Sequence, residues 1–282
     1  MSRNTSPDSG THWTEPGAWP VAPGIHRIPL PLPMDGLQAI NVYAIETEEG
    51  LTLIDGGWAL EVSRTALVDA LQGIGRSLTD IHAFLVTHAH RDHYTQAVTL
   101  RAEVGAHVSL GIGERPTLER MHDFAGGESP FVPLLERAGA HELAAIWAAQ
   151  DRHGVKVEQW ELPDTWLETE HRLLVGGRDL SAVPTPGHTR GHFVFADTTD
   201  GLLFAGDHVL PTITPSIGFE GDPSPQPLGD FLASLAKVRA LPDLRLLPAH
   251  GPVGMSSHAR GDELTEHHDH RLHGEQLTLG DG

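Results

Sequence analysis

Four strand-like runs, at residues 83–86, 180–183, 202–205 and 244–247, each give way at once to a loop that carries histidine or aspartate. The first runs into Thr87-His88-Ala89-His90-Arg91-Asp92-His93, and the second into Pro184-Thr185-Pro186-Gly187-His188. The third meets Gly206-Asp207-His208, and the fourth Pro248-Ala249-His250-Gly251. The first, at 83–86, is continuously apolar, which fits a strand buried on both faces. Loops leaving such strands share one edge of a rigid sheet, so side chains far apart in sequence meet in one place.

The intervening sequence supplies the rest of a layered scaffold. Residues 25–30, 39–45 and 51–54 read as short strands bounded by Pro, Asp and Gly, the last ending at Asp55-Gly56-Gly57. Val62, Ala66, Leu67, Ala70, Leu71 and Ile74 recur at helical spacing, as do Leu228, Phe231, Leu232, Leu235 and Val238. A helix is also expected over 94–104, with strands at 107–110 and 192–197. Residues 1–23 hold four prolines and little apolar periodicity, which predicts a flexible N-terminal arm. One domain then spans 24–258. Within it, helical patches from about 114 to 160 are broken by Gly126-Gly127, Pro130 and Pro133, and read as a helical insertion. Its apolar members Met121, Phe124, Phe131, Leu134, Leu135, Ile146 and Trp147 either line a pocket or form a plain helical core. Residues 259–282 read as a C-terminal helix and tail, whose His267, His268, His270 and His273 fit a solvated face better than a metal site.

Composition narrows the partners. The net charge of −19, with Lys156 and Lys237 the only lysines, repels polyanions. A small-molecule substrate is therefore expected, and broad binding to nucleic acid or to an anionic membrane is not. No run approaches the roughly 20 apolar residues of a membrane span, and the polar start lacks the layout of a secretory signal. Cysteine is absent, which excludes disulfides and thiolate metal sites and fits a cytoplasmic address. A homodimer is compatible with the sequence, which fixes no oligomeric state. The 20 histidines matter more, because neutral imidazole is the commonest metal ligand.

In His88-Ala89-His90-Arg91-Asp92-His93, alternating positions after a strand send two imidazoles to one side of a tight turn, while Asp92 and His93 aim elsewhere. One mononuclear site cannot use all four; two adjacent sites can. Imidazole and carboxylate ligands with an open position for water suit zinc. The plainer readings are a solvated loop for 88–93, a turn histidine at His188, a capping Asp207 and a packed His250. Their joint occurrence at four strand ends weighs against all of these. Asp55 is either a turn former or a residue that orients a ligand. His208 and Tyr94 each either reach the substrate side or serve packing. The run 210–215 leaves the Asp207 loop and is expected to border the cleft.

These motifs, in this order, resemble the metallo-β-lactamase superfamily over about residues 25–255, with Leu53-Ile54-Asp55-Gly56-Gly57, Pro186-Gly187-His188-Thr189 and His250-Gly251 as supporting signatures. The resemblance implies an α/β (α+β) fold, the αββα sandwich of two mixed β-sheets flanked by helices. It also implies that His88, His90 and His188 bind one metal, that Asp92, His93 and His250 bind a second, and that Asp207 bridges them. Asp55 would orient a ligand from behind. Histidine at 90, where the flavodiiron branch carries Glu, points away from a redox di-iron centre, and the zinc β-lactamases' cysteine is missing. Two Zn2+ are expected, with Mn or Fe also fitting the set. Such a pair lowers the pKa of a shared water from 15.7 towards about 7, and Asp92 would aim the bridging hydroxide. The implied activity is a zinc-dependent hydrolase for a small ester, thioester or lactone. A phosphodiesterase or endoribonuclease of the same fold and an iron persulfide dioxygenase are the alternatives. The nearest branches in pattern are the glyoxalase II-like and small endoribonuclease-like ones. Residues 250–271 resemble the start of the latter's helical extension.

Overall fold

The computed structural model describes residues 10–33, 36–124, 131–149 and 157–279. A seven-stranded sheet comprises β1 (Trp19–Ala22), β2 (Ile25–Pro31), β3 (Ala39–Thr47), β4 (Gly50–Ile54), β5 (Ile81–Leu85), β6 (His107–Gly111) and β7 (Thr165–Leu167), in that spatial order. Its first four strands are antiparallel and its last four run parallel from β4. Parallel neighbours need a crossover, here α1 (Glu61–Gly73) and α2 (Arg91–Val104). A five-stranded sheet comprises β8 (His171–Val175), β9 (Arg178–Pro184), β10 (Phe193–Asp197), β11 (Leu202–Gly206) and β12 (Arg245–Pro248), in the order β12-β11-β10-β9-β8. Only β11 and β12 are parallel there, joined through α6 (Pro227–Ala240).

The apolar runs of β10 and β11 are continuous because each strand feeds two cores. On β10, Phe193 and Phe195 enter the layer between the sheets, while Val194 and Ala196 enter the layer under the helices. On β11, Phe204 does the first and Leu203 the second. The intersheet layer meets Tyr43, Ile45, Ile54 and Leu85 from the other sheet, with Tyr43 edge-on to Phe204 at 5.4 Å. Outside it, α1 and α2 cover the seven-stranded sheet through Leu67, Leu71, Val98 and Leu100. On the far side, α6 and α7 (Ser257–Leu279) cover the five-stranded sheet through Phe231, Leu235, Val238 and Leu264. Each such side chain stabilises the fold by about 1.5–3 kcal/mol. The result is the expected αββα sandwich.

Three local features depart from expectation, and the insertion follows one of its two readings at Met121. The stretch expected to be a flexible arm holds β1, and the Trp13 carbonyl accepts a bond from the buried Arg27 guanidinium at 2.5 Å. Pro20 is tolerated because β1 is an edge strand, where a missing N–H breaks no ladder. Helix α2 starts at Arg91 rather than 94, so Asp92 and His93 lie in its first turn, where a carboxylate is favoured by the helix dipole. The insertion contains α3 (Arg115–Phe124), α4 (Phe131–Arg137) and α5 (His141–Ala149). Met121 packs in the core beneath it instead of lining a pocket, and the side chains of Phe124 and Phe131 lie outside the described residues. In the tail, α7 continues to Leu279, and His268 rests on Phe231 at 5.5 Å. No helix among the described residues is long and apolar enough to cross a membrane.

Candidate metal centre

The loops after β5, β9, β11 and β12 converge. His188 Nε2 lies 3.2 Å from His88 Nε2, 3.0 Å from His90 Nδ1 and 3.4 Å from Asp207 Oδ2. Beside this group, His250 Nε2 is 3.4 Å from Asp92 Oδ2 and 3.4 Å from Asp207 Oδ1. His93 Nε2 is 3.6 Å from Asp207 Oδ1 and 3.8 Å from Asp92 Oδ2. Within His88, His90, His188 and Asp207, and within Asp92, His93 and His250, the ligand atoms all lie within 4.8 Å of one another. The two oxygens of Asp207 thus face different groups. His90 and Asp92 are half-buried and the other five residues buried.

These residues suit a cation better than they suit each other. His93 Nε2, His250 Nε2 and Asp207 Oδ1 are buried with no hydrogen-bond partner, at a usual cost of about 1–3 kcal/mol each. Burial and neighbouring imidazoles push His88 well below the ordinary histidine range. Burial and the His188 charge bring His90 down to about 3. Neutral rings are the form that binds metal. Burial also lowers His93, but Asp55, Asp207 and Asp92 outweigh it and lift that ring to about 10. The carboxylates therefore favour positive charge at this point, which a divalent ion would supply.

The remote ring nitrogens are fixed as well. His93 Nδ1–H donates to Asp55 Oδ2 at 2.9 Å, His188 Nδ1–H to the Ser216 carbonyl at 2.6 Å, and His250 Nδ1–H to the Ala39 carbonyl at 2.8 Å. His90 Nε2–H meets the Phe219 carbonyl at 3.1 Å. Such bonds set the tautomer and aim the other nitrogen. Asp55 also accepts from the Thr87 amide (2.8 Å) and hydroxyl (3.0 Å), so it ties the end of β4 to the histidine loop. It does so with a positive φ of 61°, a conformation that aspartate tolerates better than most residues.

Glycines allow the close fit. At Gly187 (φ +140°) a Cβ would sit 2.4 Å from the Phe231 Cα. At Gly206 (φ +50°) it would sit 2.7 Å from His192 Nε2 and 2.8 Å from the Thr87 Cβ.

Two candidates lie away from the ligands. Tyr94 is fully buried in the core, with its hydroxyl donated to the Glu161 carbonyl, so it is packing and not a substrate-side phenol. His208 is also fully buried, its ring 5.2 Å from Phe231 and 6.1 Å from His192. Gly251 is packed so closely on Pro211 that a Cβ there would come within 2.6 Å, which places the 210–215 run against the His250 loop.

Several contributors were not anticipated from sequence. His192 bonds Thr185 Oγ1 at 2.8 Å, accepts the Asp207 amide at 3.2 Å, and stacks on His88 with ring centroids 5.1 Å apart. Asn41 Nδ2 donates to the carbonyls of Pro248 (3.1 Å) and Gly251 (2.9 Å), and the buried Arg27 donates to Asn41 Oδ1 at 2.8 Å. The Tyr43 hydroxyl donates to the Pro248 carbonyl at 2.7 Å. A lone asparagine inside the apolar run of β3 was the available signal. Glu114 and Glu220 are buried beside the His188 loop, and their sequence context carries no signal.

Residues 35–250 match the family model of the metallo-beta-lactamase superfamily. YobT of Bacillus subtilis (strain 168) is 32% identical over 173 residues, which cover 60% of this chain and 61% of YobT. Hydroxyacylglutathione hydrolase of Fuscovulum blasticum is 30% identical over 193 residues, covering 65% of this chain and 56% of that protein. The match thus spans about six tenths of the length of these curated relatives. Among solved structures, a metallo-beta-lactamase family protein from Thermus thermophilus, TTHA1429, superposes with a TM-score of 0.74 at 27% identity. That superposition covers 93% of this chain and 85% of the other.

Proposed function

The chain belongs to the metallo-beta-lactamase superfamily, and from that premise we propose that it is a dinuclear zinc hydrolase acting on a small ester, thioester or lactone. One observation carries the reading: two groups of ligand atoms lie side by side with Asp207 turned towards both. His88, His90 and His188 would hold one cation, Asp92, His93 and His250 the other, and Asp207 would bridge. Two divalent ions held there supply hydroxide at neutral pH and a Lewis acid for the scissile carbonyl.

The chain's own groups do the rest. Asp92 is held well below the usual carboxylate range: burial opposes this, but the imidazoles of His93 and His250 outweigh it. It is therefore ionised at neutral pH, an acceptor able to hold and aim an attacking water by hydrogen bond. Asp55, through His93 and Thr87, keeps that side of the site from relaxing. Trp147 of α5 meets Phe219 edge-on at 6.4 Å, and the Phe219 backbone carbonyl bonds His90, so this aromatic pair belongs to a segment that reaches the ligands and is a candidate to contact an acyl group. A net charge of −19 favours such a substrate over a polyphosphate. A cytoplasmic setting fits a chain without cysteine.

The test is turnover by the zinc-loaded protein on a panel of thioesters, lactones, carboxylic esters and bis(p-nitrophenyl) phosphate. Carbonyl substrates are expected to turn over, with Asp92→Asn lowering kcat by about 100- to 10,000-fold. Salt-sensitive cleavage of the phosphodiester alone, or oxygen uptake with a persulfide by an iron-loaded sample, would overturn the assignment.

A further inference from the structure

Two glutamates outside the ligand set grip the loop that carries His188. Glu114 ends the short turn Ile112–Glu114 after β6 and is fully buried. Its Oε1 accepts hydrogen bonds from the Thr189 hydroxyl and from the Gly191 amide, the latter at 3.2 Å. Glu220 is 2% exposed; its Oε1 accepts from the Arg190 amide at 2.6 Å and its Oε2 from the Thr117 hydroxyl at 3.0 Å. Three consecutive residues after His188 are therefore each tied to a buried carboxylate. The contact is close as well as polar. A Cβ on Gly191 would come within 2.3 Å of the Glu114 nitrogen, and one on Gly113 within 2.6 Å of the Arg190 carbonyl. Glu220 also follows Phe219, whose carbonyl meets His90, in the same segment as the Ser216 carbonyl that receives His188 Nδ1–H.

Two neighbouring carboxyl groups are an expensive way to fill a protein interior. Burial raises both above the ordinary carboxylate range, and the charge of Glu114 raises Glu220 further. Hydrogen bonds from Thr189 and from the Ala89 and Gly191 amides only partly offset that cost for Glu114. Apolar side chains would fill the same space with less desolvation cost. They would not offer acceptors to residues 189, 190 and 191.

We propose that Glu114 and Glu220 form a paired latch that positions His188 against His88 and His90, and so sets the affinity and geometry of the cation site those three histidines form. The inference rests on the metal-binding reading above. Both glutamates are positioning residues; neither touches the ligand atoms.

The test uses the full chain stripped of metal and titrated with Zn2+ against a chromophoric chelator, with the visible spectrum of the Co2+-loaded protein as a second readout. Glu114→Ala and Thr189→Val are each expected to weaken Zn2+ binding by about 10- to 100-fold and to alter the Co2+ bands. Combined, they should cost little more than the larger single effect, because the bond that Thr189→Val removes is already lost in Glu114→Ala. Glu114→Gln keeps an acceptor for Thr189 and Gly191 and should restore most of the affinity. Should Glu114→Ala fail to fold, the near-isosteric Thr189→Val carries the test. Unchanged affinity and spectrum in Thr189→Val, or a Gln variant as weak as the Ala variant, would overturn the latch. A wild-type chain that takes up no Zn2+ would instead overturn the site itself.

Discussion

Replacing Asp55 separates the frame of the centre from its ligands. The carboxylate is 2% exposed and accepts the Thr87 amide at 2.8 Å, the Thr87 hydroxyl at 3.0 Å and His93 Nδ1–H at 2.9 Å. Bonds to a charged acceptor contribute about 1.5–3 kcal/mol each, so loss of the amide and imidazole bonds alone amounts to about 3–6 kcal/mol. That is a large part of the roughly 5–15 kcal/mol of a typical domain. Asp55→Ala also meets the positive φ, which costs roughly 1–2 kcal/mol more for a residue with a Cβ and no polar side chain. Asp55→Asn tolerates that φ and keeps one acceptor for Thr87. It loses the charge opposite His93, for an expected loss of about 1.5–3 kcal/mol. Urea unfolding of the metal-free variants measures the first effect. Zn2+ titration measures the second, expected as a further loss of affinity of about 10- to 100-fold once His93 is free to turn. An Asn variant with wild-type affinity would refute the claim that Asp55 aims His93.

Three other outcomes are expected. Tyr94→Phe removes a hydroxyl donated to the Glu161 carbonyl, so it should lower stability by about 0.5–1.5 kcal/mol and leave kcat unchanged; a collapse of turnover would return Tyr94 to the substrate side. Gly187→Ala combines a strained φ of +140° with a contact of 2.4 Å to Phe231, and should lower stability by about 2–6 kcal/mol in thermal unfolding. Burial and Glu114 raise Glu220 in the folded chain, so the folded form keeps a proton that the unfolded form has released. The corresponding stability is complete below the ordinary carboxylate value and is lost as pH climbs through the raised one. Glu220→Gln should flatten that decline in urea midpoints between the ordinary carboxylate value and about 9; a wild-type profile already flat across that window would refute it.

Most of the centre was legible in the sequence because its ligand candidates directly follow short, mainly apolar strand-like runs. Phe193, Val194, Phe195 and Ala196 mark β10 since both faces of that strand are buried, and the same holds for Leu202 to Ala205. β7 and β8 lacked that mark. β7 has only three residues, and β8 alternates exposure with Leu174 at 81%. β1 was hidden by Pro20, which an edge strand accommodates. The start of α2 was placed late because the helix is entered through its own metal-ligand candidates, with His90 as the extended residue before the first turn. Glu114 and Glu220 were invisible as functional residues for a different reason. They hold backbone amides and threonine hydroxyls distant in the chain, and such partners leave no pattern in a sequence.

Crystals grown with Zn2+ and measured at the zinc absorption edge offer the most direct check on a paired-cation centre. Two anomalous peaks are expected, about 3.5–4 Å apart. One should lie about 2.0–2.2 Å from His88 Nε2, His90 Nδ1 and His188 Nε2, the other from Asp92, His93 Nε2 and His250 Nε2, with Asp207 between them. No peak at these residues, or a single peak with His93 and His250 still unliganded, would contradict it.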